Sequence, residues 1–184
     1  MTSINLKERY VGRGAIKLKY ALEQFEIEVK GKVAADLGCS TGGFTEILLE
    51  QGVRKVYAVD TAYGQLDWKL RNDARVVVME RVNAMHTVLP EHVDLITIDT
   101  GWTKQKNILP NAFKNLVPGG NIISLIKPHY EAGKAKLDER QVVLVVDKVK
   151  KDIQELGGKI RKLIKSPILG EKGKNSEFLA LISN

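Results

Sequence analysis

Short β-branched apolar runs alternate along the chain with longer stretches whose apolar residues recur at helical spacing. The runs over 32–37, 55–60, 75–79, 93–99, 121–126, 159–164 and 177–182 predict seven strands. A helix is predicted over 14–25, with Ile16, Tyr20, Leu22 and Phe25 as its apolar stripe. Further helices are predicted at 46–50, 64–71, 105–116 and 138–156; Pro118-Gly119-Gly120 ends the fourth of these five and Gly157-Gly158 closes the fifth. Strands separated by helices argue an α/β fold with a mostly parallel seven-stranded sheet and helices on both faces. The length of 184 residues fits one domain, with 1–30 as an N-terminal helical segment and 31–184 as the sheet unit.

In such sheets ligands lie outside the carboxyl ends of the strands. Asp36, Asp60, Asp99 and Lys127 all stand at predicted strand ends. Between the first strand and the next helix runs Asp36-Leu37-Gly38-Cys39-Ser40-Thr41-Gly42-Gly43-Phe44-Thr45. Glycines let backbone approach a ligand closely, and the helix N-terminus supplies amide donors. The turn reads Gly-x-Ser-x-Gly-Gly beside a carboxylate, not the Gly-x-Gly-x-x-Gly of a diphosphate cradle. It therefore suits a ligand carrying an amine and a sulfonium, as S-adenosylmethionine does. Asp60 follows Asp36 by 24 residues and closes the second strand, where a carboxylate can accept both ribose hydroxyls. Its bland alternative is a strand-end turn residue.

Composition narrows the classes. The chain is 43% hydrophobic and 28% charged, which argues against disorder. It contains no apolar run of the roughly 18 residues a membrane span requires, and its first ten residues do not read as a signal peptide. A single cysteine, Cys39, fits a reducing cytoplasm and reads as a small filler of the turn rather than a nucleophile. His86, His92 and His129 lack ligand spacing, so no metal site is expected. The net charge of +7 favours polyanionic partners. Lys7, Arg9, Arg13, Lys17 and Lys19 crowd the start; Lys148, Lys150, Lys151, Lys159, Arg161, Lys162, Lys165, Lys172 and Lys174 crowd the last quarter. These read as an RNA-binding surface or as solvated helix faces.

Methyl transfer from a sulfonium is an in-line displacement in which positioning dominates. A hydroxyl acceptor also needs a group to take or steer its proton. Lysines serve where burial or a second cation tunes them, with carboxylates holding them in place. Lys17, Asp99, Lys127 and Glu177 form such a set. Taken singly, Lys17 and Glu177 read as exposed charges, whereas Asp99 and Lys127 each close an apolar strand.

Several segments resemble the TlyA (hemolysin A) family of RNA methyltransferases, within the broader FtsJ-like ribose 2′-O-methyltransferases. These are Tyr10 to Leu18, Asp36 to Phe44, Val56 to Asp60, Tyr63 to Asp73, Met79 to Asn83, Ile126 to Glu131, Ser166-Pro167-Ile168 and Glu177-Phe178. The resemblance implies a Rossmann-like class I S-adenosylmethionine-dependent fold. It also implies 2′-O-methylation of ribosomal RNA in the cytoplasm. The family's Lys-Asp-Lys-Glu tetrad falls on Lys17, Asp99, Lys127 and Glu177. Lys127 is then the base or proton-steering group, tuned by Lys17, while Asp99 and Glu177 orient the lysines and the acceptor. Cofactor contacts fall on Asp36, Gly38, Ser40, Gly42, Gly43, Phe44, Asp60, Tyr63, Asn83 and Asp99.

Two departures accompany the resemblance. The family's small N-terminal RNA-binding domain is expected to be absent. After Asp99 the family reads Val-Ser-Phe-Ile-Ser, and this chain reads Thr100-Gly101-Trp102-Thr103-Lys104. Trp102 reads either as a base-stacking platform or as a packed loop aromatic. A non-catalytic RNA-binding protein on the same fold is the alternative reading. A haemolytic membrane-active protein is disfavoured by the lack of a long apolar or amphipathic basic segment. A nicotinamide oxidoreductase is disfavoured by the turn. The oligomeric state is open.

Overall fold

The computed structural model describes residues 9–170 and 174–184. Its elements in chain order are α1 (Gly14–Phe25), β1 (Val33–Leu37), α2 (Gly43–Glu50), β2 (Lys55–Asp60), α3 (Trp68–Arg71), β3 (Val76–Glu80), β4 (Val93–Ile98), α4 (Gln105–Asn115), β5 (Leu116–Ile126), α5 (Pro128–Ala132), α6 (Glu139–Glu155), β6 (Lys159–Lys165) and β7 (Phe178–Ser183). They form one seven-stranded sheet in the order β3-β2-β1-β4-β5-β7-β6. β7 runs antiparallel to both of its neighbours, β5 and β6, and the remaining pairs are parallel. This is the expected Rossmann-like α/β architecture.

Strand periodicity divides the core into two layers. Ala34, Val56, Ala58, Leu95, Ile123 and Leu125 face α1 and α2, joining Leu18, Leu22, Phe25, Ile47 and Leu48. Ala35, Leu37, Tyr57, Val59, Ile96, Ile98 and Ile122 face the other side, joining Ile108, Leu109, Val149 and Ile153. Full burial of β1 explains why its sequence reads as a continuous run and not as an alternation.

Several expectations are corrected in detail. The buried face of α1 is Ala15, Lys17, Leu18, Ala21, Leu22 and Phe25; Ile16 and Tyr20 of the expected stripe are only half-buried. The helix expected at 64–71 shrinks to α3, because Gly64 has φ +72° and the Asp67 side chain caps only at Lys69 N. The Pro118-Gly119-Gly120 signal lies inside β5 as an irregularity: the register with β4 passes from Val93↔Leu116 directly to Leu95↔Asn121. The α6 boundary is sharp, since Asp138 accepts from Gln141 N and the Gln141 side chain accepts in return from Asp138 N. α5 has no sequence-based counterpart; Pro128 at its first position starts it directly after Lys127.

The strand order reverses between β1 and β4, so the loops following these strands diverge to opposite faces and leave a crevice at their carboxyl ends.

Candidate active site

That crevice is a cleft of about 660 Å³. The β1–α2 turn forms its floor. Gly38 has φ +87°, and a Cβ there would lie 2.8 Å from the Asp99 carbonyl oxygen, so only glycine lets β1 and β4 exit side by side. A Cβ on Gly43 would lie 2.9 Å from Ala15 N, so the glycine also admits the start of α1 against α2.

Asp60 ends β2 with both carboxylate oxygens held: Ser40 N donates to Oδ2 and Ala62 N to Oδ1, each at 2.8 Å. Each oxygen keeps a lone pair for a ligand hydroxyl. Asn83, Val82 and Met85 line the wall beyond it. The Asn83 Oδ1 accepts from Met85 N at 2.9 Å, which fixes the amide.

Two lysine–carboxylate pairs stand at the other end of the cleft. Lys17 Nζ lies 2.7 Å from Glu177 Oε2, both side chains buried. Beyond this ion pair, Glu177 Oε2 has no aligned hydrogen-bond partner among the described residues. Lys127 Nζ lies 2.5 Å from Asp99 Oδ1 and donates to the Thr100 carbonyl at 3.2 Å. The structure thus corrects the reading of Lys17 and Glu177 as exposed charges, and it gives each lysine its own carboxylate. All four residues line the same cleft.

Of the other expected contacts, Gly38, Ser40, Gly43 and Phe44 line the cleft. Asp36, Gly42 and Tyr63 lie off its wall. Alternation along β1 turns Asp36 with Ala34 toward α2, where it is fully buried and accepts from Thr45 Oγ1 at 2.7 Å and Thr97 Oγ1 at 3.0 Å. Burial, outweighing these bonds, pushes its carboxyl up to about 7. Gly42 faces Leu66 and Leu70. Tyr63 is exposed, with the Arg81 guanidinium 4.5 Å from its ring centroid. Cys39 lines the cleft, but burial and the carboxylates of Asp36, Asp60 and Glu80 raise its thiol pKa, consistent with filler.

Sequence reading missed Arg13, Thr41, Gln65, Thr103, His129 and Tyr130, which also line the cleft. Arg13 donates to the Leu169 carbonyl at 2.8 Å, far along the chain, a contact that no local pattern announces. Trp102 is 79% exposed at φ +59° and stacks on Tyr130, with centroids 4.5 Å apart. It is therefore not a packed loop aromatic.

The model of the FtsJ-like methyltransferase family matches residues 10–181. The chain belongs to this family. It is 42% identical over 182 residues to YqxC of Bacillus subtilis (strain 168), a candidate rRNA methyltransferase; the match covers 93% of this chain and 64% of that one. It is 40% identical over 193 residues to the 16S/23S rRNA (cytidine-2′-O)-methyltransferase TlyA of Mycobacterium tuberculosis (strain ATCC 25618 / H37Rv), covering 98% of this chain and 72% of that one. The chain thus spans about two thirds of the length of these relatives. A solved structure from Lactococcus lactis, described as a candidate hemolysin, superposes with a TM-score of 0.90 at 38% identity, covering 96% of this chain and 89% of that one.

The cleft fits a methyl-donating sulfonium nucleoside. The turn from Gly38 to Thr45 carries no lysine or arginine for a diphosphate, and the first turn of α2 carries Glu46. Asp60 presents open lone pairs for vicinal hydroxyls, and the Val59, Val82 and Met85 side chains offer an apolar bed for a base. Among the described residues no helix is long and apolar enough to cross a membrane. No group of three or more His, Cys, Asp or Glu among them could hold a metal.

Proposed function

We propose that the chain uses S-adenosylmethionine to methylate a ribose 2′-hydroxyl of ribosomal RNA, acting in the cytoplasm. The observation that carries this reading is the pair of lysine–carboxylate contacts, Lys17–Glu177 and Lys127–Asp99, at one end of a cleft whose other end holds Asp60. The names of the relatives support the same acceptor.

The bound donor supplies an electrophilic methyl group. Asp60 and Asn83 would hold its nucleoside beside the Gly38–Phe44 turn. Lys127 sits at the acceptor and steers or takes the hydroxyl proton, with Asp99 fixing its Nζ. Lys17 and Glu177 complete a charged wall that orients the ribose. Trp102, exposed and stacked on the cleft residue Tyr130, offers a face on which the acceptor base stacks.

RNA also meets the protein through basic residues outside the cleft. Lys159, Arg161 and Lys165 are exposed on the edge strand β6, and Lys151 and Lys174 are exposed nearby in sequence. Lys148, Lys150 and Lys162 pair with Asp152, Asp147 and Glu26, as solvated surface charges do. Lys7 and Lys172 lie outside the described residues.

The test is transfer of a labelled methyl group from S-adenosylmethionine to unmodified ribosomal subunits, with mapping of the product to a 2′-O-methylated nucleotide. Wild type transfers and Lys127→Ala does not, while both bind the donor equally. Full transfer by Lys127→Ala would sink the mechanism. Donor-free RNA binding with no transfer would favour the non-catalytic alternative.

A further inference from the structure

Among the described polar side chains that line the cleft outside the tetrad and the donor site, His129 carries a buried nitrogen without a hydrogen-bond partner. His129 follows Lys127-Pro128 in the first turn of α5 and lines the cleft, yet it is only 7% exposed. Its Nδ1 is buried with no hydrogen-bond partner among the described residues. An unsatisfied buried nitrogen costs about 1–3 kcal/mol, so such groups need an explanation. Packing alone does not need a polar ring there. The imidazole rests tilted on Tyr130 with centroids 4.2 Å apart, a contact that phenylalanine would make as well.

The charges that act on the ring come from the two lysine–carboxylate pairs. Burial lowers the His129 pKa; the Glu177 carboxylate opposes this and the Lys127 ammonium adds to it. The ring thus lies within the fields of both lysine–carboxylate pairs, and it is neutral at neutral pH. A neutral imidazole offers one donor and one acceptor, whereas Lys127 only donates and ionised Glu177 only accepts. A ribose hydroxyl needs both kinds of partner.

We propose that His129 binds the acceptor ribose by a hydrogen bond beside Lys127, making it a fifth polar group of the acceptor site. The inference rests on the ribose-methylation reading above. No covalent bond forms at the imidazole, and the methyl group and the hydroxyl proton follow the path already given. The contact fixes the sugar so that its 2′-oxygen faces the donor.

The experiment compares wild type with His129→Phe, His129→Leu, His129→Asn and His129→Gln. It measures kcat and KM for methyl transfer to unmodified ribosomal subunits, and donor affinity by calorimetry. The Phe and Leu variants are expected to lose roughly tenfold to a hundredfold in kcat/KM. Donor affinity should stay within about twofold and the melting temperature should not fall, because an unsatisfied polar group has been removed. Asn places its amide near the Nδ1 position and Gln near Nε2, so one of the two restores most of the loss and identifies the nitrogen. Wild-type kcat/KM in both Phe and Leu variants would overturn the inference while leaving the ribose reading intact. An equal loss in donor affinity would overturn it too, by moving His129 to the donor site. A wild-type protein that transfers no methyl to any ribose would overturn the parent reading and this inference together.

Discussion

Lys17, on the first helix, and Glu177, just before the last strand, meet at 2.7 Å with both side chains almost wholly out of solvent. The contact ties α1 to the segment that leads into β7. Removing one partner strands a buried charge, which costs about 3–5 kcal/mol, while removing both together costs far less. Urea unfolding of Lys17→Met, Glu177→Leu and the double variant should therefore show strong non-additivity, with the double variant more stable than either single one. Additive losses would refute the coupling.

Asp60 is held by two backbone amides, so its carboxylate is oriented before any ligand arrives. Asp60→Ala is expected to weaken S-adenosylmethionine binding by roughly tenfold to a hundredfold, the effect of losing one or two charge-assisted hydrogen bonds. Calorimetric titration measures this directly. Asp36→Asn, one strand away but off the cleft wall, should leave the affinity nearly unchanged. Reversal of the two effects would reassign the donor site.

Asp36 also gives a pH signature. Burial raises its carboxyl in the folded protein from 3.8 to about 7. Between these values the folded state holds a proton that the unfolded chain has released, so stability falls as pH rises from about 4 to about 7 and then levels off. Asp36→Asn keeps the shape and a hydrogen-bonding carbonyl but does not titrate. From pH 5 to pH 8 the wild type should lose roughly 2–3 kcal/mol more stability than this variant, as read from urea midpoints. Parallel pH profiles would show that the buried carboxyl carries no such linkage.

Trp102 is held at φ +59° against Tyr130 with most of its surface open. Trp102→Ala is expected to weaken RNA binding by about 1–3 kcal/mol while donor affinity stays constant. Trp102→Phe should recover part of the loss, since it retains a stacking face. Unchanged RNA affinity in the Ala variant would assign the Trp102–Tyr130 stack to loop structure alone.

Local pattern made much of this protein legible. Strand runs, the glycine turn and strand-end acids depend on periodicity and backbone freedom, which are properties of neighbouring residues. All seven strands and the Asp36–Phe44 turn were therefore readable in order. The apparent helix at 64–71 failed because Gly64 at positive φ and the Asp67 cap outweighed helix propensity.

What stayed hidden depends on contacts between distant segments. Whether an acid at a strand end faces the cleft or the core is set by which layer covers that face. Asp60 and Asp36 looked alike in sequence, yet α2 supplies Thr45 to one and the β1–α2 turn supplies the Ser40 amide to the other. The partnering of Lys17 with Glu177 follows from strand order. Inserting β7 antiparallel between β5 and β6 brings the chain's last segment to the rim where α1 begins. The sequence by itself determined the seven strands and the chemistry carried at strand ends, because both are encoded locally. Only the tertiary structure decided which charges are paired, which are buried and which line the cleft, because desolvation and Coulomb energy depend on the three-dimensional surroundings of each group.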